Sequence, residues 1–463
     1  MTEWPAAPSR KPAPLFLVLA FLLAFAVFIG TLVINQATPG TVVLVVVLSS
    51  FVFWAGSRLA RPVDGRWLGL TIATAYLTKL IASGARYWVL INLYRGVGDA
   101  SGYHNKGLNI ADIWRSLQIP EIGTGTEFVP PATGFLYAFY KPSMLGGFII
   151  FATLAFAGQL FLYSGFRHTT RPQHLKWFAL AIFFSPSIVY WPSSIGKEAL
   201  IFLFLGPAAY GAARLMMEYR LRWGVVFAVG LAGIGLVRAH ISLLLAGALL
   251  VVLVLARPPR VPAATAKRLV MLLVAGGVLA MALVATSQRF GLDLSAGISA
   301  DLVSEELDPF LDEISDRTDR GGSAVSGGAI ASVTDIPEAT LRVLFSPLPW
   351  ETSSAQTLAA SFEGAALLAL ILIRSPWIIS NLFRRIRALP FALFSLAFTA
   401  AFVYGFSAIL NLGILSRQRS QVMPFLLALL VETVFRNQAA SYQGEGRDGV
   451  DQAVGSELEG APV

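Results

Sequence analysis

Roughly a dozen apolar runs, each near the ~20 residues that carry a helix across a bilayer core, dominate this chain. Of 463 residues, 56% are hydrophobic and only 13% charged. The expected fold is all-α, a polytopic transmembrane helical bundle of about twelve spans with two long outer-face loops. The spans fall near 14–34, 39–57, 67–92, 143–165, 175–191, 197–217, 222–238, 240–256, 268–287, 355–373, 389–409 and 414–435. Arg238 and His240 interrupt the stretch 222–256, which also reads as one long hairpin.

Arg10 and Lys11 precede an apolar run that is too long for a signal-peptide core and lacks a small-residue cleavage site, so it reads as the first span. With no cysteine, disulfides, thiolate metal sites and cysteine nucleophiles are excluded. The formal charge of +8 does not point to nucleic acid. The Lys and Arg fall mostly in short loops between apolar runs, where they set orientation. With the N-terminus inside, every second junction is basic: Arg58, Arg61, Arg66; Arg167, Arg171, Lys176; Arg220, Arg222; Arg257, Arg260, Lys267, Arg268; and Arg374, Arg384, Arg385, Arg387. Both termini then lie in the cytoplasm and the bundle in the plasma membrane.

The chain divides into an N-terminal bundle, 1–287, an extracytoplasmic loop, 288–354, C-terminal spans, 355–436, and a polar tail, 437–463, whose composition predicts disorder. The first outer loop covers 93–142. The second opens on an acidic amphipathic stretch, passes through the flexible GGSAVSGG, and ends in DIPEATLRVLFSPLPWE, which reads as an interfacial or re-entrant helix closed by Pro347 and Pro349.

Charges on the outer face need an explanation that orientation does not supply. They are Arg95, Asp99, His104, Lys106, Asp112, Lys197, Glu198, Arg238, His240, Arg342, Glu351, Arg417 and Arg419. Most lie at span ends, as a site at the membrane boundary would require. Gly98-Asp99-Ala100-Ser101-Gly102-Tyr103-His104 gathers an acid, a phenol and an imidazole; Asp99 reads as a general base, as a metal ligand, or as the cap of a Gly-rich turn. His104 is the second catalytic candidate and Tyr103 a supporting one.

Pro192-Ser193-Ser194-Ile195-Gly196 breaks two apolar runs, and Lys197 and Glu198 follow at once. Ser193 or Ser194 would cap the next helix, leaving N–H groups and Lys197 to hold a phosphate, with Glu198 in the first turn orienting Lys197. The competing reading is a lysine snorkelling to the interface beside an exposed partner. Arg417-Gln418-Arg419 and Arg238 are further phosphate ligands, since arginine matches phosphate oxygens bidentately; simple interfacial anchoring is the alternative. Trp350 and Glu351 suit sugar or headgroup contact, or an aromatic belt. Lys79 and Glu363 lie deeper and are expected to pair with each other or with a polar cavity.

The layout resembles bacterial polytopic glycosyltransferases of the GT-C type and the related polysaccharide polymerases. The residues that carry the resemblance are Gly98-Asp99-Ala100 through Tyr103-His104, Ser185-Pro186 through Trp191 to Gly196-Lys197-Glu198, and Arg417-Gln418-Arg419 with Pro424. It implies a sugar taken from a polyprenyl-phosphate donor at the outer face and passed to a glycan or lipid acceptor among membrane lipids, with the loop acid, here Asp99, as base or metal ligand. No Asp-x-Asp accompanies Asp99 and the loop follows the third span rather than the first, so a divalent metal is not demanded and no other cofactor is implied. A polymerase or ligase of O-antigen type, using paired arginines on a lipid pyrophosphate, is the second reading. A lipid-linked sugar transporter or flippase is a third, of a different class; it would use Lys79 and Glu363, and no repeat of broken helices supports it.

Overall fold

The computed structural model describes residues 39–60, 65–257, 265–273, 275–277, 280, 330, 332–352, 355–409 and 411–434. The expected span 14–34, the acidic part of the second outer loop and the tail lie outside the described residues. What is described is helical. The helices are α1 (Pro39–Ala60), α2 (Gly65–Trp88), α3 (Asp99–Arg115), α4 (Val129–Phe139), α5 (Met144–Arg167), α6 (Pro172–Phe184), α7 (Pro186–Tyr190), α8 (Lys197–Glu218), α9 (Leu221–Val237), α10 (Ala239–Leu255), α11 (Ile336–Phe345), α12 (Ala355–Arg385), α13 (Pro390–Phe406) and α14 (Leu412–Val434).

Among the described residues, five helices are long and apolar enough to cross a membrane: Gly40–Ala60, Trp67–Leu93, Met144–Arg167, Lys197–Glu218 and Gln356–Ala388. Leu221–Val237, Ala239–Leu255 and Pro390–Phe406 are apolar but shorter. The expected span 175–191 is divided, because Pro186 has no N–H to continue α6, and the chain restarts as the five-residue α7. The span expected at 355–373 runs on to Arg385; Arg374 and Pro376 are accommodated within one helix of 31 residues. The segment 93–142, expected as a loop, holds α3 and α4. These two are joined by Trp114 Nε1 donating to the Pro131 carbonyl (3.0 Å) and by Asp112, which bridges Arg115 (3.0 Å) and Lys141 (2.8 Å). The helix expected in 335–351 is α11, followed by a short 3-10 turn at Pro349–Glu351.

α5 is the central element, buried along nearly its whole length between α2, α6 and α8. Its crossing with α8 is set by two glycines. A Cβ on Gly158 would lie 1.9 Å from the Phe202 carbonyl oxygen, and one on Gly206 2.2 Å from the Gly158 oxygen. Lipid supplies no hydrophobic force between spanning helices, so close backbone approach at small residues is what lets them adhere. The helices alternate in direction, bringing the ends of α2 and α9 and the starts of α3, α8, α10 and α14 to one pole. At the other pole Arg167 Nη1 donates to the Leu59 carbonyl (2.7 Å), and Glu218 holds Arg214 (2.6 Å) with Arg220 and Arg222 nearby.

Gly158→Val should reduce stability by about 1–3 kcal/mol, the range for forced overpacking. Gly247→Ala, where a Cβ meets nothing within 4 Å, should not. Thermal unfolding of the purified variants in detergent checks the contrast.

Candidate functional site

The site is built on the break between α6 and α8. A helix of five residues leaves carbonyls and N–H groups at both ends without intrahelical partners, and α7 lies where water is scarce. Two buried ionisable side chains supply them. Lys79 of α2, wholly buried, donates from Nζ to the Ile188 carbonyl (2.8 Å). Glu363 of α12 accepts from the Ser185 and Ser187 hydroxyls and from the Ser187 N–H (3.1 Å). The acid sits at the N-terminus of α7, the cation toward its C-terminus, as the peptide dipoles favour. Lys79 and Glu363 therefore do not form the expected pair with each other; each holds one end of α7.

Glu363 has a second partner. Arg419 Nη2 lies 3.7 Å from it, and the same guanidinium donates to the carbonyls of Ala360 (3.0 Å), Ser346 (3.3 Å) and Leu344 (3.4 Å). Arg419 is completely buried. It is expected from the sequence to hold phosphate, but it lies outside the cavity lining and its Nη1 and Nη2 groups join α11, α12 and α14.

The fixed turn after α7 leads into a cavity of about 560 Å³. Separated segments line it: Arg86, Leu90 and Tyr94 from the end of α2 and the π-helical turn that follows it; Asp99 and Tyr103 from α3; Ser194, Gly196, Lys197 and Glu198; Arg238; Gln356 from α12; and Arg417 and Gln418 from α14. Asp99 and Tyr103, four residues apart, share one face of α3. Four cations, Arg86, Lys197, Arg238 and Arg417, face two carboxylates, Asp99 and Glu198, leaving a formal +2. Arg238 Nη2 bonds Glu198 Oε1 at 3.1 Å, so Glu198 orients Arg238 rather than Lys197. Lys197 Nζ donates to Thr126 Oγ1 (2.7 Å) on the loop between α3 and α4, and that loop is anchored by Gly125 N on the Leu236 carbonyl (2.8 Å). Burial, with Asp99 and Glu198 nearby, pushes the Tyr103 phenol up to about 12, so it stays a donor at neutral pH. Asp99 is exposed to the cavity and forms no ion pair among the described residues.

Several residues expected in the site stand elsewhere. His104 turns away from the cavity onto α4, where Nδ1 and the Tyr137 hydroxyl are 3.0 Å apart. Burial holds the imidazole below its ordinary pKa and raises that of Tyr137, so the pair is neutral. Glu351 accepts from the Leu348 N–H (2.6 Å) and closes its own 3-10 turn. Neither Ser193 nor Ser194 caps α8: Ser193 donates to the Val189 carbonyl, and Ser194 accepts from Arg86 Nη2 (3.0 Å). Sequence reasoning passed over Arg86 and gave Trp191 no role in the site. Arg86 stands near the end of a span on the same side as Arg417, a cation that orientation does not require, and that signal was available.

Among the described residues no three His, Asp or Glu side chains gather as metal ligands. One unpaired carboxylate among four cations does not fit a divalent ion. Comparison with protein-family models, with curated proteins and with solved structures finds no match.

Lys79→Met should lower stability by about 1–3 kcal/mol, the cost of a buried carbonyl left unpartnered. The charge swap Lys79→Glu with Glu363→Lys should not recover it, because the two charges serve opposite ends of α7; thermal unfolding checks both. His104 binds a proton less readily in the fold than in the unfolded chain. Its contribution is therefore present above pH ~6.5 and lost as pH falls through the depressed folded value. Hydrogen exchange of α3 and α4 should accelerate over that window in the wild-type protein and not in His104→Gln.

Proposed function

We propose that the chain is an integral membrane glycosyltransferase that moves a sugar from a polyprenyl-phosphate donor to a glycan or lipid acceptor. The observation that carries this reading is the convergence of Asp99, Tyr103, Lys197, Glu198, Arg238 and Arg417, distant in sequence, on one positively charged cavity. Its lining also includes Val89, Leu90, Val97, Phe148 and Ile414, and Trp88, Ile91 and Leu93 beside it are exposed. A ligand with a charged head and a hydrocarbon tail matches that division.

In this reading the acceptor hydroxyl attacks the anomeric carbon while Asp99 takes its proton. The carbon–oxygen bond to phosphate breaks, and its electron pair leaves on the phosphate. The departing charge is met by Lys197, Arg238 and Arg417, already placed for it. Tyr103, a fixed donor, and the polar tips of Gln356 and Gln418 suit sugar hydroxyls; Gln418 Oε1 is buried without a hydrogen-bond partner. The basic pole opposite the cavity supports a ladder of about twelve spans in the plasma membrane, with the cavity on the outer side and both termini in the cytoplasm. A transporter reading rests on Lys79 and Glu363, and both are occupied in holding α7.

Asp99→Asn should reduce sugar transfer roughly a hundredfold or more, the lower end for loss of a general base, and leave donor binding intact. Transfer from radiolabelled donor in proteoliposomes measures the first and donor retention the second. Unimpaired transfer removes Asp99 as base. Lys197→Ala should weaken donor binding about tenfold, the worth of one charge-assisted contact; unchanged binding refutes the phosphate role.

A further inference from the structure

The pole opposite the cavity carries a cluster that sugar transfer does not use. α8 ends at Glu218, Tyr219 turns the chain in a left-handed conformation (φ 48°), and α9 starts at Leu221. This tight corner gathers three guanidiniums around one carboxylate. Arg214 Nη2 lies 2.6 Å from Glu218, Arg220 Nε 3.6 Å and Arg222 Nη2 3.7 Å. Three cations on one anion leave a formal +2. His168, beside Arg214 at 3.1 Å, adds no charge at neutral pH, because burial, with Arg214 and Arg167 nearby, holds its imidazole below the ordinary value.

Trp223 organises the cluster. Its Nε1 donates to Glu218 Oε2 (2.9 Å), and the Cζ atoms of Arg214 and Arg222 each lie 4.5 Å from its ring centroid. Arg220 and Arg222 are 61% and 58% exposed. At 3.6 and 3.7 Å they attract Glu218 without hydrogen-bonding to it, so their donor forks stay open. α9 then continues with an apolar outward face. Leu221, Val225, Val229 and Leu236 are exposed and lie in phase along about 22 Å of helix. Open cations at one end of an apolar stripe match an amphiphile, with a negative head at the corner and hydrocarbon along α9. Orientation in the membrane asks only for positive residues at this pole, which Arg384 and Arg385 also supply. It does not ask for several of them on one indole.

We propose that the α8–α9 corner binds the headgroup of an anionic phospholipid, its phosphate held by the open forks of Arg220 and Arg222 beside Trp223, its acyl chains lying along Leu221, Val225 and Val229. Guanidinium forks match phosphate oxygens bidentately. Basic clusters between spanning helices hold anionic headgroups in this way, and an indole is at home at that depth. A zwitterionic headgroup brings its own cation and relieves little of the +2; a net anionic one relieves more. The site is separate from the cavity and stands whether or not the cavity transfers sugar.

The test places the full-length protein in phosphatidylcholine nanodiscs that carry a minor fraction of brominated phosphatidylglycerol or, in parallel, of brominated phosphatidylcholine. Bromine quenches indole fluorescence on contact, and a Trp223→Phe variant supplies the signal of the other tryptophans. Trp223 should be quenched at an about fivefold lower fraction of the anionic lipid, the worth of one arginine at a membrane surface. Arg220→Gln with Arg222→Gln should bring the two lipids within about twofold of each other. Arg384→Gln with Arg385→Gln, at the same pole, should leave the preference in place. Raising salt from about 0.1 to about 1 M should weaken the preference of the wild-type protein, because the screening length falls from about 10 to about 3 Å. Equal quenching of the wild-type protein by the two lipids overturns the site, as does a preference that survives loss of Arg220 and Arg222 or is unmoved by salt. A preference lost equally in the Arg384 and Arg385 variant also overturns it, in favour of a diffuse positive pole. Soluble glycerol phosphate that abolishes the preference overturns the lipid as the ligand.

Discussion

Everything at the cavity depends on how a broken helix survives in an apolar setting. Pro186 ends one helix, Gly196 precedes another, and the short α7 between them exposes backbone groups that water cannot reach. Lys79 and Glu363 satisfy them from opposite ends. Removing either would leave not just a missing bond but a buried charge or carbonyl with no partner, the expensive half of a hydrogen bond. Arg419 extends the same network to α11, α12 and α14. Three ionisable side chains in a chain this apolar are thus spent on shape. What the shape yields is a fixed turn with Tyr190 and Trp191 on one side and Lys197 and Glu198 on the other.

The cavity inherits its chemistry from that turn. Arg86 and Arg417 rest on Trp191, Arg238 on Glu198, and Lys197 on the loop between α3 and α4. Each cation is preorganised by a neighbour that is itself held, which is how fixed charges stabilise a leaving group without reorganising. Asp99 differs: it begins α3, faces the cavity and forms no ion pair among the described residues. In the proposed reading a base needs a free carboxylate and phosphate contacts need fixed cations.

Much of this was legible in sequence. Hydropathy marks the helices because lipid admits few other backbones. Asp99, Lys197, Glu198, Arg238 and Arg417 stand out because orientation does not call for charges there. The misplacements have one physical source, helix phase. Asp99 and Tyr103 share a face at a spacing of four, but His104, one residue on, is turned by about 100° and meets Tyr137 instead. Arg417 and Arg419 are about 200° apart on α14, so one faces the cavity and the other the bundle interior; as an Arg-Gln-Arg string they look alike. Placing 93–142 in an outer loop removed the helical periodicity that would have separated Tyr103 from His104. The partners of Lys79 and Glu363 were illegible for another reason: Lys79 meets a backbone carbonyl and Glu363 a backbone N–H and two serine hydroxyls at the start of α7, none of which carries a charge signature in the sequence.

The central claim is that one cavity holds a lipid phosphate between cations from separate helices. A structure determined with a polyprenyl-phosphate analogue in nanodiscs tests it most directly. Phosphorus density should lie within salt-bridge reach, about 4 Å, of Lys197 or Arg417, with the tail leaving past Leu90 and Val97. Bound analogue elsewhere on the bundle, with the cavity empty, would contradict it.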